Sequence, residues 1–565
     1  MGINDRDHGT EEPDKAQVLR PVLKAGEAGD SPRLASDRAN LSAAIIQEMG
    51  AVFMAALAEA LPALLKDDLA GMEQRLRQVG RAVLGPVVER VAAAREATEE
   101  RGACPECGGR LRSVDQARRR TLQGLVGDYT LHRAYYQCAE CGQGHVPLDA
   151  RLGLGTGSLS PGLLRVVCRD GIAGGFAEAV DRVVESVGVR VDDEVLRRMT
   201  EGIGAVAEAE VQAAMARVAR GQPACMDTEA AVMEVPESGV LAVEVDGMFV
   251  HRDDDGHEMK VVTVAPLGPG MEVGADTGRE RLAWGRASYG AGFEEAQAFW
   301  GRGHVEACRR GLGTAAVHTV VALGDGAEWI WRHARAFLAL PGVEVVEIID
   351  LYHAYEYLWA VGNAVFGEGT TAAAAWVEPL KTRLYTEGAA PLHAALTTLA
   401  RTVCMPPSAA PERAAATAVR RALEYVTTNA ARLDYPAFVA RRFPIGSGAV
   451  ESSCKSVVQA RTKGAGMRWS AAGAQQVVSL RALHRSGRWD AFWQSQPQRT
   501  RLRLVPRVHR TQAALPMPDA PSARSAPPVA APPPAPVDAP PVPRLLRPAA
   551  DHPWRRQSLG RARSA

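Results

Sequence analysis

The sequence predicts an α/β protein with a small cysteine-rich module ahead of it, and three observations lead there. Between residues 239 and about 350, strand-like runs ("VLAVEVDGMFV", "MKVVTVAPL", "AVHTVVALGD", "VEVVEIID") alternate with helical ones ("GFEEAQAFWGRGHVEACRRGL", "AEWIWRHARAFLAL"). Upstream, two Cys-x-x-Cys pairs stand about thirty residues apart. Downstream, residues 351 to 440 are almost wholly helical in pattern.

At 565 residues the chain is too long for one compact core. Apolar content of 46% and charged content of 23% are ordinary for a soluble globular protein. The net charge of +1 supplies no global field for nucleic acid, so any basic surface must be local. Residues 1–40 are polar, contain Pro and Gly and show no period, which reads as disorder. They also lack the basic start and apolar core of a signal peptide, so a cytoplasmic location is expected. Residues 41–100 form a helical N-terminal region. Its most apolar stretch, "LSAAIIQEMGAVFMAALAEALPALLKDD", is interrupted by Glu48 and Glu59. That falls short of about 18 unbroken apolar residues, so a packed or amphipathic helix is expected and no membrane contact. Residues 101–150 hold the cysteine pairs. Residues 151–238 are helical again, and "FAEAVDRVVESVGVRVDDEVLRRM" reads either as a helix-turn-helix for DNA or as a plain connector. The α/β region spans 239–495. The remainder, 496–565, starts basic and becomes a Pro/Ala-rich tail expected to be disordered.

Nine cysteines, four of them in two tight pairs, suit a metal site in a reducing compartment better than a disulfide framework. "CPECGG" supplies Cys104 and Cys107, and "CAECGQ" supplies Cys138 and Cys141. The two residues inside each pair bring both sulfurs to one side, and Gly108 or Gly142 lets the backbone turn behind them. Four thiolates arranged so bind one structural Zn²⁺. The segment "RTLQGLVGDYTLHRAYYQC" between them reads as a hairpin carrying the second pair, which makes the module a zinc ribbon. Redox chemistry would need only one pair. Arg110, Arg112, Arg118, Arg119, Arg120, His132 and Arg133 on the ribbon suit phosphate contact, with a purely structural role as the alternative.

Three acids have the setting for a catalytic cluster. In "GVLAVEVDGMFV" an apolar strand reaches Asp246, and Asp-Gly by itself predicts only a hairpin turn. "HTVVALGDGAEWIW" repeats the pattern at Asp325, and side-by-side strands would bring the two acids together. Glu451 follows a Gly-Ser-Gly turn in "RFPIGSGAVESSCKSVVQARTKGAGMRWS", in the first turns of a helix. Three carboxylates from two strands and a helix suit two hard Mg²⁺ (or Mn²⁺) ions, which keep open positions for phosphate. In "DLYHAYE", Asp350 competes with Asp325 as the second acid, and His353 either reaches the scissile phosphate or packs. Asp325 is favoured because its strand precedes a helix and another strand. From 441 to 510 there are fourteen Arg and Lys against two acids, a polarised stretch that reads as a phosphate track. Lys455, Arg461, Lys463 and Arg468 are its members nearest Glu451.

These blocks, "VEVDGMFV", "ALGDGAEWIW", "IIDLYHAYEYLW" and "PIGSGAVESSCKSVVQARTKGAGMRWS", resemble those of bacterial insertion-sequence transposases of the ISKra type. The resemblance covers roughly residues 100 to 490, ribbon included. It implies an RNase H-like catalytic core of the DDE group with an all-helical insertion at about 355–440, and a triad of Asp246, Asp325 and Glu451. It further implies two-metal DNA cleavage and strand transfer, with terminal inverted repeats and target DNA as partners and a homo-oligomer on DNA. The alternatives are a metal-dependent nuclease on the same core and a non-catalytic zinc-ribbon DNA-binding protein.

Overall fold

The computed structural model describes residues 32–97, 102–155, 157–222, 235–253, 256–273, 278–403 and 410–499. Disorder expected for residues 1–31 and for the tail from 500 onward lies outside the described residues. Helix α1, Pro32–Leu64, begins inside the stretch expected to lack structure, and α2, Leu69–Ala97, returns beside it. Expected to be packed or amphipathic, α1 instead leaves most of its apolar length uncovered. Ile46 is 71% and Met54 63% exposed. By length and composition Ala43–Leu64 is apolar enough to cross a membrane. Helix α2 is anchored on its other side: Glu96 accepts the Ala134 amide at 2.7 Å, and Arg81 donates to the Val187 carbonyl at 2.9 Å.

The cysteine module is an antiparallel ribbon of β1 (Leu111–Gly124), β2 (Gly127–Cys138) and the short β3 (Gly144–His145). A short helix, α3 (Pro147–Arg151), follows, and then α4 (Pro161–Gly171), α5 (Phe176–Val187) and α6 (Asp193–Ala219) pack together. Gly188, at φ 68°, ends α5 in the left-handed conformation that glycine favours, and the Asp192 carboxylate caps α6.

A six-stranded mixed sheet positions the acids. Strands β4 (Val240–His251), β5 (Gly256–Val273), β6 (Glu280–Trp284) and β7 (Ser288–Gly292) pair antiparallel, with β6 and β7 both against β5. After α7 (Ala296–Arg309), strand β8 (Thr319–Gly324) lies parallel to β4. After α8 (Glu328–Leu338), β9 (Glu344–Ile349) lies parallel to β8. The order is β6-β5-β4-β8-β9. Parallel neighbours need a crossover, and α7 and α8 supply it.

The turn expected at Asp246–Gly247 does not form. Strand β4 runs straight through it, because Met248 and Val250 continue the apolar alternation on the Asp246 face and are both buried. Gly247 instead makes room for Glu258 across the pair, where a β-carbon would stand 2.1 Å from its carboxylate.

Beyond β9 come α9 (Leu351–Phe366), α10 (Thr371–Glu387), α11 (Ala389–Val403), α12 (Ala410–Asn429) and α13 (Tyr435–Ala440). They share one core with Leu241, Val243 and Val245 of β4. The opposite face of the sheet packs Met248, Val250, Met259 and Val261 against α14 (Gly448–Ser453) and α15 (Ala471–Arg485), with Phe492 and Trp493 of α16 (Trp489–Arg499) in the same cluster. Helix α14 continues through a π-turn at Cys454–Gln459 into Ala460–Thr462.

Candidate functional site

Register brings the acids together. Val245 of β4 pairs with Gly324 of β8, and Gly324 pairs with Ile349 of β9. One step further along stand Asp246, in the middle of β4, and Asp325 and Asp350, just past the carboxyl ends of β8 and β9. Adjacent strands lie about 4.8 Å apart, and paired residues point to the same face. Carboxyl ends of parallel strands are where open α/β sheets place ligands. Helix α14 brings Glu451 over this edge from the chain's far end.

Electrostatics record the convergence. The pKa of Asp246 is raised, first by burial and then by the neighbouring Asp325 charge. Glu451 is also raised, first by burial, then by Asp350, with Asp246 adding to the shift and Lys455 opposing it. Asp325 thus bears on Asp246, and Asp246 bears on Glu451. Cys454 donates its thiol to Asp246 Oδ2 at 3.5 Å from one turn beyond Glu451.

Asp350 is occupied differently. It is 3% exposed, caps α9 by accepting the His353 amide at 2.7 Å, and also accepts the Ser447 amide from the Gly-Ser-Gly turn. Its carboxylate thus ties the turn that starts α14 to the start of α9. Asp325 accepts the Ala327 amide at 2.8 Å through one oxygen. For His353 burial would lower the pKa, but the contact to Glu356 and the charges of Asp325 and Asp350 raise it overall. Its ring packs edge-on against Tyr357, centroids 5.5 Å apart.

Sequence reasoning missed Glu244. Placed with Ala242 on the alternating face of β4, it is 0% exposed and accepts the Val450 amide at 2.8 Å. Burial pushes its pKa up to about 8, and the Asp350 charge adds to the shift. The available signal was its spacing: two residues before Asp246, it must share that face.

The basic residues divide. Lys455, Lys463 and Arg468 are exposed. Arg461, expected to meet phosphate, is 1% exposed and cannot do so. Its guanidinium donates to the Gly171 carbonyl at 2.9 Å and lies over the rings of Phe176 and Trp469 at 4.2 and 4.6 Å. Burial, reinforced by Arg481, pushes its pKa down to about 10. Arg481 is likewise buried, bonded to the Ser456 carbonyl at 2.9 Å. Arg441 pairs with Glu344 and Arg488 with Glu306. The charge count therefore overstates the free positive surface. Lys463 and Arg468 line an open cleft of about 710 Å³ together with His251, Arg252, Asp253 and Met467. The cleft's wall is fixed where the Asp253 amide donates to the Trp469 carbonyl at 2.9 Å.

On the ribbon, Cys104, Cys107, Cys138 and Cys141 have all four sulfurs within 4.8 Å of one another. They could hold a zinc ion. Gly108 and Gly142 sit at φ 75° and 73°, and each donates its amide to the carbonyl of the first cysteine of its pair. His145 Nε2 stands 3.3 Å from Cys104 Sγ. Among the described residues this is the one set of ligand groups that close. Of the ribbon's arginines, Arg120 and Arg133 are turned to Asp149, whereas Arg112, Arg118 and Arg119 are exposed.

Residues 62–493 match the profile of the uncharacterised protein family UPF0236. The chain belongs to that family. The matched span of this UPF0236 member runs from within α1 to α16, so it takes in both the ribbon and the acid edge. No curated protein matches it.

Proposed function

We propose that this UPF0236 member is a DDE transposase of the ISKra type, cutting DNA at the ends of its element and joining them to a target. The observation that carries the reading is Asp246 of β4 standing level with Asp325 at the end of the neighbouring parallel strand β8, with Glu451 of α14 close enough to feel the Asp246 charge. The strand order supports it: an antiparallel β4–β5–β6 meander followed by parallel β8 and β9 on the other side of β4 is the order of an RNase H-like core. Helices α9 to α13, lying between β9 and α14, take the place of the helical insertion.

The three carboxylates would offer hard oxygen donors to Mg²⁺ or Mn²⁺ ions, which would activate the attacking oxygen and stabilise the leaving one. Asp246, Asp325 and Glu451 are the residues that would hold such ions. Asp350 holds the start of α14 in place, which leaves Asp325 as the second ligand. Lys463 and Arg468 line the path of the DNA backbone. The ribbon, with one structural Zn²⁺, presents Arg112, Arg118 and Arg119 to DNA. The uncovered apolar face of α1 is where copies of the chain meet in a homo-oligomer, in the cytoplasm and away from membrane.

The test is strand cleavage of a labelled duplex carrying the sequences that flank the gene, with Mg²⁺ or Mn²⁺ added. Metal-dependent nicking at one defined position, followed by joining to a second duplex, is expected. Nicking without joining would favour a nuclease on the same core, and neither would leave the non-catalytic reading.

A further inference from the structure

We infer that Glu244 and Thr263, side by side across β4 and β5, are positioning residues that clamp α14 and so aim the Glu451 carboxylate at Asp246. The inference rests on the metal-site reading of the acids. The two residues pair directly in the antiparallel register, Glu244 with Thr263, so their side chains leave the sheet together on the face under α14. Glu244 Oε2 accepts the Val450 amide at 2.8 Å. Thr263 Oγ1 donates to Ser453 Oγ at 2.7 Å, and Ser453 Oγ donates on to the Ala449 carbonyl at 2.7 Å. The bonds fall on residues 450 and 453, one before Glu451 and two after it.

Helix α14 needs such help. It has six residues before the π-turn at Cys454–Gln459 breaks the regular hydrogen-bond ladder. A segment this short has little hold on its own rotation, and each residue of slip turns a helix by about 100°. Two polar bonds from adjacent strands fix both rotation and height.

The choice of side chain points the same way. Glu244 is wholly buried and its Oε1 finds no partner within the protein, an expensive arrangement for a carboxyl group. Its strand neighbours Val243 and Val245 are apolar and equally buried, so a leucine would fill the space at less cost. What a leucine lacks is an acceptor for the Val450 amide. Serine at 453 and threonine at 263 form a buried hydroxyl pair where two apolar residues would also pack.

The experiment uses the full-length, zinc-loaded chain and Mn²⁺ as the probe, with binding measured by calorimetry. Wild type is expected to bind Mn²⁺, and Asp246→Asn to lose it. Glu244→Leu and Thr263→Val should each weaken Mn²⁺ binding about tenfold or more, the usual cost of removing support behind a metal ligand. Glu244→Gln should stay within about threefold of wild type, because its amide oxygen accepts the same N–H. Zinc content and the metal-free unfolding midpoint of Thr263→Val should not change, which separates positioning from general stability. Wild-type affinity in Thr263→Val or in Glu244→Leu overturns the clamp while the metal site stands. Should Glu244→Leu fail to fold, Thr263→Val and the Gln rescue decide. Absence of Mn²⁺ binding in wild type overturns the reading of the acids itself, and the clamp with it.

Discussion

Replacing Asp246 by Asn should produce two effects of opposite sign. The change keeps the shape of the side chain and removes the charge of a carboxyl whose pKa burial and Asp325 raise, and which in turn raises that of Glu451. Carboxylates on strands about 5 Å apart, at an effective dielectric of about 20, repel by about 3 kcal/mol. Partial exposure and salt reduce that to about 1 kcal/mol in practice. The metal-free Asn protein should therefore unfold a few degrees above wild type at pH 8. The sign with pH follows from linkage. A carboxyl whose folded pKa is raised holds its proton more tightly in the native state, so wild type loses stability as pH climbs from the ordinary value of 3.8 through the raised one. The advantage of the Asn protein should vanish below pH 4, where the carboxyl is protonated in both states. With Mg²⁺ present the order should reverse, since Asn lacks the charge proposed to hold the metal. Cleavage should fall roughly a thousandfold or more, about 4 kcal/mol of barrier. The assay pairs cleavage of a labelled end with thermal unfolding at pH 4 and pH 8, with and without metal. An Asn protein that is less stable than wild type at pH 8 without metal would refute the repulsion. One that cleaves at the wild-type rate would refute the catalytic role.

Cys104→Ser should lose zinc, one ion per chain by elemental analysis, and with it specific binding to element ends in a gel shift; loss of zinc with normal binding would make the ribbon purely structural. Asp325→Asn should abolish cleavage while folding normally. Asp350→Asn should cost about 1–2 kcal/mol of stability in denaturant titrations, through the weakened cap and turn, and reduce cleavage less. Lys463→Glu and Arg468→Glu should each flatten the slope of log affinity against log salt by about one. Arg461→Glu should instead lower the unfolding midpoint, because it places an unpaired carboxylate between Phe176 and Trp469. Ile46→Glu combined with Met54→Glu should reduce the mass of the assembly by light scattering without altering zinc content.

Local pattern was enough to read much of this protein. The cysteine pairs announced their knuckles because the spacing and the following glycine are a complete local geometry, and the sulfurs do close. Strands and helices from 239 to 440 were legible because period 2 and period 3.6 survive in any one stretch of sequence. The three acids stood out for the same reason, each at the end of an apolar run or the start of a helix. What local pattern cannot carry is who faces whom. Asp-Gly is a turn in isolation, yet in β4 it stays extended because β5 pairs along its whole length. Arg461 and Arg481 counted as positive surface until the fold wrapped aromatic rings and carbonyls around them. The burial of Glu244 left no local mark, because only a helix arriving two hundred residues later covers it. Asp325 and Asp350 were rivals on paper, and only the tertiary structure shows how differently they are bonded. Both reach the same edge, but Asp350 spends its oxygens on the Ser447 and His353 amides. Hydrogen bonds between distant segments leave no period in the sequence, so burial and partnership were decided only when the chain closed on itself.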